Sequence, residues 1–201
     1  MVNAMRFLTE QFGYLRRLAL NIGWARAIRV RIATMGARFG VGDSMVTILK
    51  PKGFERGLVA RTFSTDFDVY GQVFKQCQYH IVSDLSPRTI VDLGANVGYA
   101  SAYFLRAFPN ARVIAVEPYP PNVEILTKNM EPYGERAEII SAAVWNRECM
   151  LVIDKWGGNE WGIEVRPARD DEVAEIRAID LPSLGLERID LLKIDIERAE
   201  I

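Results

Sequence analysis

One stretch constrains this chain more than any other: IVDLGANVGYASAYFL, from Ile90 to Leu105. Thr89, Ile90 and Val91 are β-branched and follow a polar Ser86-Pro87-Arg88 lead-in, which predicts a buried strand. Asp92 comes next, then a tight run holding Gly94 and Gly98, then an apolar helical pattern through Ala102 and Leu105. Strand, glycine turn and helix in that order can bring backbone N–H groups at a helix N-terminus close to a ligand. Gly94 tolerates dihedrals closed to other residues, and Gly98 removes a Cβ where a ligand or the strand must approach.

The spacing of that run narrows the ligand. A dinucleotide fingerprint reads G-x-G-x-x-G, but residue 96 is Asn, which leaves D-x-G-x-x-x-G. With one glycine fewer and an acid before the turn, the loop suits a ligand with a positive amino group and no pyrophosphate. S-adenosylmethionine (SAM) has that chemistry.

The 201 residues suit one domain, or one domain with an N-terminal extension. We place the extension at 1–63 and the main domain at 64–201. Up to Arg61 the arginines and lysines far outnumber Glu10, Asp43 and Glu55, and the remainder is correspondingly acidic. Cys77 and Cys149 make no disulfide framework and lack zinc-ligand spacing. The single histidine, His80, argues against a histidine-ligated metal or a Ser-His-Asp triad, and no metal is expected. No apolar run is long enough to span a bilayer, and Arg6, Glu10, Arg16 and Arg17 interrupt any signal peptide, so a cytoplasmic location is expected.

Residues 4 to about 38 carry a helical pattern (Leu8, Phe12, Leu15, Leu18, Ile22, Ala25) with arginines on other faces. This fits a cover helix with a solvated basic face, or an interfacial helix on anionic lipid. Nucleic acid is not an expected partner, because no RNA-binding motif accompanies the arginines. Gly36 to Gly42 reads as a turn, and Met45–Leu49 and Leu58–Thr62 as a hairpin around Pro51-Lys52-Gly53. Ser64-Thr65-Asp66 supplies N-cap types for a helix running to about His80.

Strands then alternate with helices: strand 89–93, helix 99–107, strand 112–116, helix 121–130, strand 138–143. That alternation implies right-handed crossovers and a parallel sheet. An irregular insertion from Val144 to Asp171 carries Trp145, Trp156, Gly157, Gly158 and Trp161, with a hairpin expected from 151–154 and 162–165. Its tryptophans suit either a sugar face or packing over the sheet edge. A short strand at 175–178 and a buried strand at 189–197 complete the pattern.

Ligands of open α/β sheets sit beyond the carboxyl ends of the strands. Four polar features fall there. Asp92 closes the first strand, and Glu117, followed by Pro118, closes the second at the distance where an acid accepts ribose hydroxyls. Ser141, Ala142 and Ala143 close the third, where small side chains leave room for adenine. Asp195 and Glu197 close the last.

VDLGANVGYAS, VIAVEPYPPNVEILTKN (Val113–Asn129) and IDLLKIDIERAE (Ile189–Glu200) closely resemble the FkbM family of SAM-dependent methyltransferases. The resemblance runs from about Ser64 to the last residue. It implies a Rossmann-like class I methyltransferase fold with sheet order 3-2-1-4-5-7-6, and methyl transfer to a hydroxyl of a sugar, glycolipid or polyketide. It also implies that Gly94, Ala95, Asn96, Val97 and Gly98 wrap the methionine part of SAM, with Asp92 near its amino group and Glu117 on the ribose.

A hydroxyl acceptor must lose its proton as it attacks, so a carboxylate within hydrogen-bond reach would help. Asp195 is the first candidate base and Glu197 the second. Two features depart from the family. Arg198 stands where it usually has glycine, and the chain stops at Ile201 before the last strands of such a sheet. The expectation is therefore a shortened enzyme, or a non-catalytic or partner-dependent remnant that still binds SAM. A nicotinamide-dependent dehydrogenase is disfavoured by Asn96.

Overall fold

The computed structural model describes residues 15–16, 19–20, 23–25, 27–28, 46–62, 64–80, 84–155, 163–169 and 171–196. The chain divides into two compact units, Met1–Gln78 and Tyr79–Ile201.

In the first unit, β1 (Val46–Leu49) and β2 (Leu58–Arg61) form the expected antiparallel hairpin, with Leu49 opposite Leu58. Helix α1 (Asp66–Phe74) begins where the cap residues lie, although Thr65 makes no side-chain cap. The buried Asp66 carboxylate instead binds Arg61: Oδ2 accepts the backbone N–H at 2.7 Å, and Oδ1 pairs with Nη2 at 2.8 Å. Phe54 and Tyr70 pack on the Phe74 ring at 5.3 and 5.1 Å.

α1 ends six residues earlier than the spacing predicts. Gly71 O accepts both Lys75 N–H and Gln76 N–H, and Cys77 then takes a left-handed φ of 54° that turns the chain off the helix axis. His80 is thus exposed and lies off the helix end. The described residues at 15–16, 19–20, 24–25 and 27–28 are helical, and Gly23 between them takes a left-handed φ of 83° outside the helix; the remaining residues of the expected 4–38 helix and the 36–42 turn lie outside the described residues.

The second unit carries the alternation. Strands β3 (Thr89–Leu93), β4 (Arg112–Glu117) and β5 (Ala137–Ser141) alternate with α2 (Tyr99–Ala107) and α3 (Pro120–Met130). Pro120 and Pro121 open α3, where a missing N–H costs nothing.

Strand β6 (Ala143–Val144) follows at once. Next come β7 (Cys149–Lys155), β8 (Ile163–Pro167), β9 (Ile176–Ile179) and β10 (Leu191–Ile194). The main sheet has the order β10-β3-β4-β5, every pair parallel. Taking β3, β4, β5 and β10 as strands 1 to 4, this is the run 3-2-1-4 of the expected order.

The register of β10 is pinned at its start, where Asp190 Oδ2 accepts the Arg88 and Thr89 N–H groups at 2.8 and 3.0 Å. One sheet face packs Val91, Leu93, Ile114 and Val116 against Ala142 and Ile179. The opposite face, reached by the alternate residues, carries the helices, and Ser101 of α2 bonds Asp92 there.

Two expected strands differ in extent. The strand expected at 138–143 breaks at Ala142, whose N–H turns back to Ile140 O at 3.1 Å. Ala143–Val144 then joins a second sheet, β6-β9-β7-β8, that includes the expected hairpin of β7 and β8. The last strand is four residues long and lies at the sheet edge, with Leu192 and Ile194 exposed. Trp145 packs on the small core of the second sheet, beside Ala143 and Leu151, while Trp156, Gly157, Gly158 and Trp161 lie outside the described residues.

Candidate functional site

From β3 the chain steps outward in one direction through β4 and β5, then returns to the other side of β3 as β10. Connections therefore diverge between β3 and β10, and such a switch point opens at the carboxyl ends of the strands. Gly94 to Gly98, Glu117, Ser141 and Asp195 all stand at those ends.

The glycine loop is tied to both neighbours of β3. Gly94 N–H and Ala95 N–H both donate to Val116 O, at 3.0 and 2.9 Å. Asn96, at a left-handed φ of 51°, donates its N–H to Glu117 Oε2 at 2.8 Å, and its own Oδ1 accepts Val97 N–H at 2.7 Å. Gly98 N–H donates to Ala95 O, and Asn129 of α3 holds Val97 O. All five N–H groups of residues 94–98 are therefore spent within the protein. These five amides of the turn are thus held by β4 and by the turn itself. A pyrophosphate cradle needs free donors, so this loop offers none to a dinucleotide.

Gly94 is at φ +74°, and a Cβ there would fall on the Asp195 carbonyl, 2.8 Å from its carbon and closer to its oxygen. Glycine at 94 is what lets β3 and β10 end side by side. At Gly98 (φ +84°) a Cβ would instead meet the side chains of Leu126 and Met130.

Glu117 is nearly buried, and three donors meet it: Asn96 N–H on Oε2, and Tyr119 N–H and Asn122 Nδ2 on Oε1 at 3.1 and 3.2 Å. Burial pushes its pKa up from the ordinary value, and the hydrogen bonds oppose the rise. Each carboxylate oxygen has two lone pairs, so Oε2 retains one for a hydroxyl.

Asp92 is enclosed rather than open to a ligand. Its Oδ2 accepts Ser101 Oγ at 2.6 Å, and its Oδ1 is 2.9 Å from Lys193 Nζ, an ion pair whose angle falls short of a directed hydrogen bond. Lys193 is the site residue the sequence reading missed. Burial alone would lower its pKa, but Asp92 foremost holds it above the ordinary range. Tyr79, packed on Phe104 at 5.1 Å, lies in the same cluster, and burial pushes its phenol up to about 12.

Asp195 is 67% exposed, with Oδ2 3.6 Å from Lys193 Nζ. Ser141 is exposed and in register with Glu117, whereas Ala142 and Ala143 are closed into the apolar cores of the two sheets. Pro118 is half-buried between Glu117 and α3. Glu197 and Arg198 lie outside the described residues. Among the described residues no group of three His, Cys, Asp or Glu side chains could hold a metal ion, and no helix is long and apolar enough to cross a membrane.

A parallel 3-2-1-4 sheet with a glycine turn after its first strand and an acid at the tip of its second defines a Rossmann-like domain of the class I methyltransferase kind. Residues 92–201 match the family model of the methyltransferase FkbM domain, and the chain belongs to that family. It is 28% identical over 170 residues to the methyltransferase sdnD of Sordaria araneosa, covering 66% of this chain and 65% of that protein. It is also 28% identical over 176 residues to the AMB antimetabolite synthetase AmbE of Pseudomonas aeruginosa, covering 66% of this chain and 8% of that one. The chain thus spans a little under two thirds of the first relative's length and a small part of the second's. Among solved structures, a methyltransferase from Geobacter sulfurreducens aligns at 18% identity and TM-score 0.31, covering 57% of this chain and 50% of that chain.

Proposed function

We propose that the protein binds SAM at the carboxyl ends of β3 and β4 and transfers its methyl group to a hydroxyl of a sugar, glycolipid or polyketide-type acceptor. The observation that carries this reading is Glu117: an acid at the tip of β4, held by three donors beside the glycine loop, with one acceptor position of Oε2 left for a ribose hydroxyl. The loop adds chemical selectivity, since its amides are already spent and favour a ligand without phosphates. Ser141, exposed beside Glu117, borders the place an adenine would take.

When bound, SAM supplies a methyl on a sulfonium, an electrophile whose in-line displacement by oxygen leaves a neutral thioether. The chain's own work is alignment, countercharge and removal of one proton. Asp195 carries the exposed carboxylate of the switch point and accepts the acceptor's hydroxyl proton as the new oxygen–carbon bond forms. The Lys193 ammonium lies 3.6 Å from that carboxylate.

Calorimetry against S-adenosylhomocysteine and NADH tests the cofactor. Saturable binding of the first alone supports the reading, and binding of NADH alone overturns it. Methyl incorporation into hydroxyl acceptors, lost in Asp195→Asn with binding retained, tests the base.

A further inference from the structure

Lys193 stands out because nothing about the transfer chemistry calls for a buried lysine. It sits on β10 directly opposite Asp92 of β3, with its side chain only 9% exposed. Its ammonium makes two short contacts, with Asp92 Oδ1 at 2.9 Å and the Gly94 carbonyl at 3.0 Å, and a longer one to Asp195 Oδ2 at 3.6 Å. The charged and titratable groups facing it are Asp92, Asp195, Tyr79 and, further off, Glu117.

The two short contacts do different things. A buried carboxylate such as Asp92 is tolerated only beside a compensating charge. The Gly94 carbonyl, which accepts from Lys193 Nζ of β10, needs a donor. Among the described residues, the other ties of residues 94–96 either stay within the loop or run to β4, through Val116 O and Glu117. Lys193 is the side chain that fastens the turn from the β10 side.

We infer that Lys193 is a positioning residue, whose ammonium balances Asp92 and at the same time holds the Gly94 carbonyl, fixing residues 94–98 in the shape a ligand meets. The ligand part of this inference rests on the proposed SAM site; the loop part does not.

Separating the two roles takes a double variant. Lys193→Met alone strands the Asp92 charge and is expected to lower the melting temperature sharply. Asp92→Asn with Lys193→Met removes both charges, so the melting temperature should return to within about 3 °C of the unaltered protein. The Gly94 carbonyl still lacks its donor in that double variant. Amide hydrogen exchange at Gly94, Ala95 and Asn96 should therefore remain about tenfold faster than in the unaltered protein, while Ile114 and Val116 keep their protection. A role in stability alone would not produce that split.

The inference is overturned if the loop amides recover together with the melting temperature, because charge balance is then all that Lys193 supplies. It is equally overturned if the double variant fails to regain stability or to fold, because balancing Asp92 is then not its role. S-adenosylhomocysteine serves as the ligand probe, and its affinity for the double variant should fall about tenfold, in step with loop exchange. No binding to the unaltered protein would sink the SAM reading and leave the exchange result standing.

Discussion

Among the described glycines of the second unit, Gly94 should be the one where replacement by alanine does most damage. An L-residue at φ +74° costs about 1–2 kcal/mol by itself. The added Cβ would overlap the Asp195 carbonyl, where ordinary van der Waals contact begins at 3.4 Å. Relief requires β3 and β10 to part, yet Asp195 N–H is bonded to Leu93 O at 3.0 Å and Lys193 to Gly94 O at 3.0 Å. Losing one such bond costs about 1 kcal/mol and the overpacking another 1–3. The sum is about 3–6 kcal/mol, a fall in melting temperature of order 10 °C for a chain of this size.

Two other glycines calibrate the estimate. Gly185→Ala (φ +60°, open space) isolates the dihedral cost at about 1 kcal/mol. Gly98→Ala adds a clash with the flexible ends of Leu126 and Met130, and about 2 kcal/mol is expected. Urea unfolding of the three variants, read at the amides of Val91 and Val116, gives the order. If Gly94→Ala is no worse than Gly185→Ala, the packed approach of Asp195 to the loop is wrong.

Other consequences are simpler to check. Arg61→Met leaves the buried Asp66 carboxylate uncompensated and should cost about 3–5 kcal/mol, with much of it recovered when Asp66→Asn is added; a loss below about 1 kcal/mol would contradict the pairing. Glu172, held by the Arg166 side chain and the Arg169 N–H, has its pKa lowered from 4.5 to about 2. Its folded value lies below its unfolded one, so its stabilisation is complete above pH 4.5 and is lost as pH falls toward 2; carbon NMR of the carboxyl should show ionisation persisting through pH 3. Tyr79 should stay protonated as pH rises to about 12, seen in ultraviolet titration as a phenol lost from the ordinary transition by comparison with Tyr79→Phe.

Much of the second unit was legible because its signals are local. The strand–glycine–helix run after Thr89, the proline-opened helix at 120 and the acid closing VIAVE are each contained in a few consecutive residues. Glu117 was found for that reason. Lys193 is not found that way: the sequence reads as a buried strand at 189–197 ending in acids, although Lys193 and Asp195 alternate there with Leu192 and Ile194. Its partners lie about a hundred residues away and are chosen by the β10–β3 register, which no local pattern encodes.

The same distinction explains Ala142, where a backbone turn reassigns Ala143 to another sheet, and Cys77, where a non-glycine residue takes a left-handed φ. The internal spending of the loop amides also depends on Val116 and Glu117, two elements further along.

Nuclear magnetic resonance of the Asn96 and Tyr119 amides during titration with S-adenosylhomocysteine tests the central claim most directly. Both donate to Glu117, so a ribose hydroxyl arriving on that carboxylate must redistribute its hydrogen bonds and move both signals together, saturating with the ligand. Saturable binding that leaves these two amides unmoved, or no binding to a folded sample, would contradict a SAM site at the ends of β3 and β4.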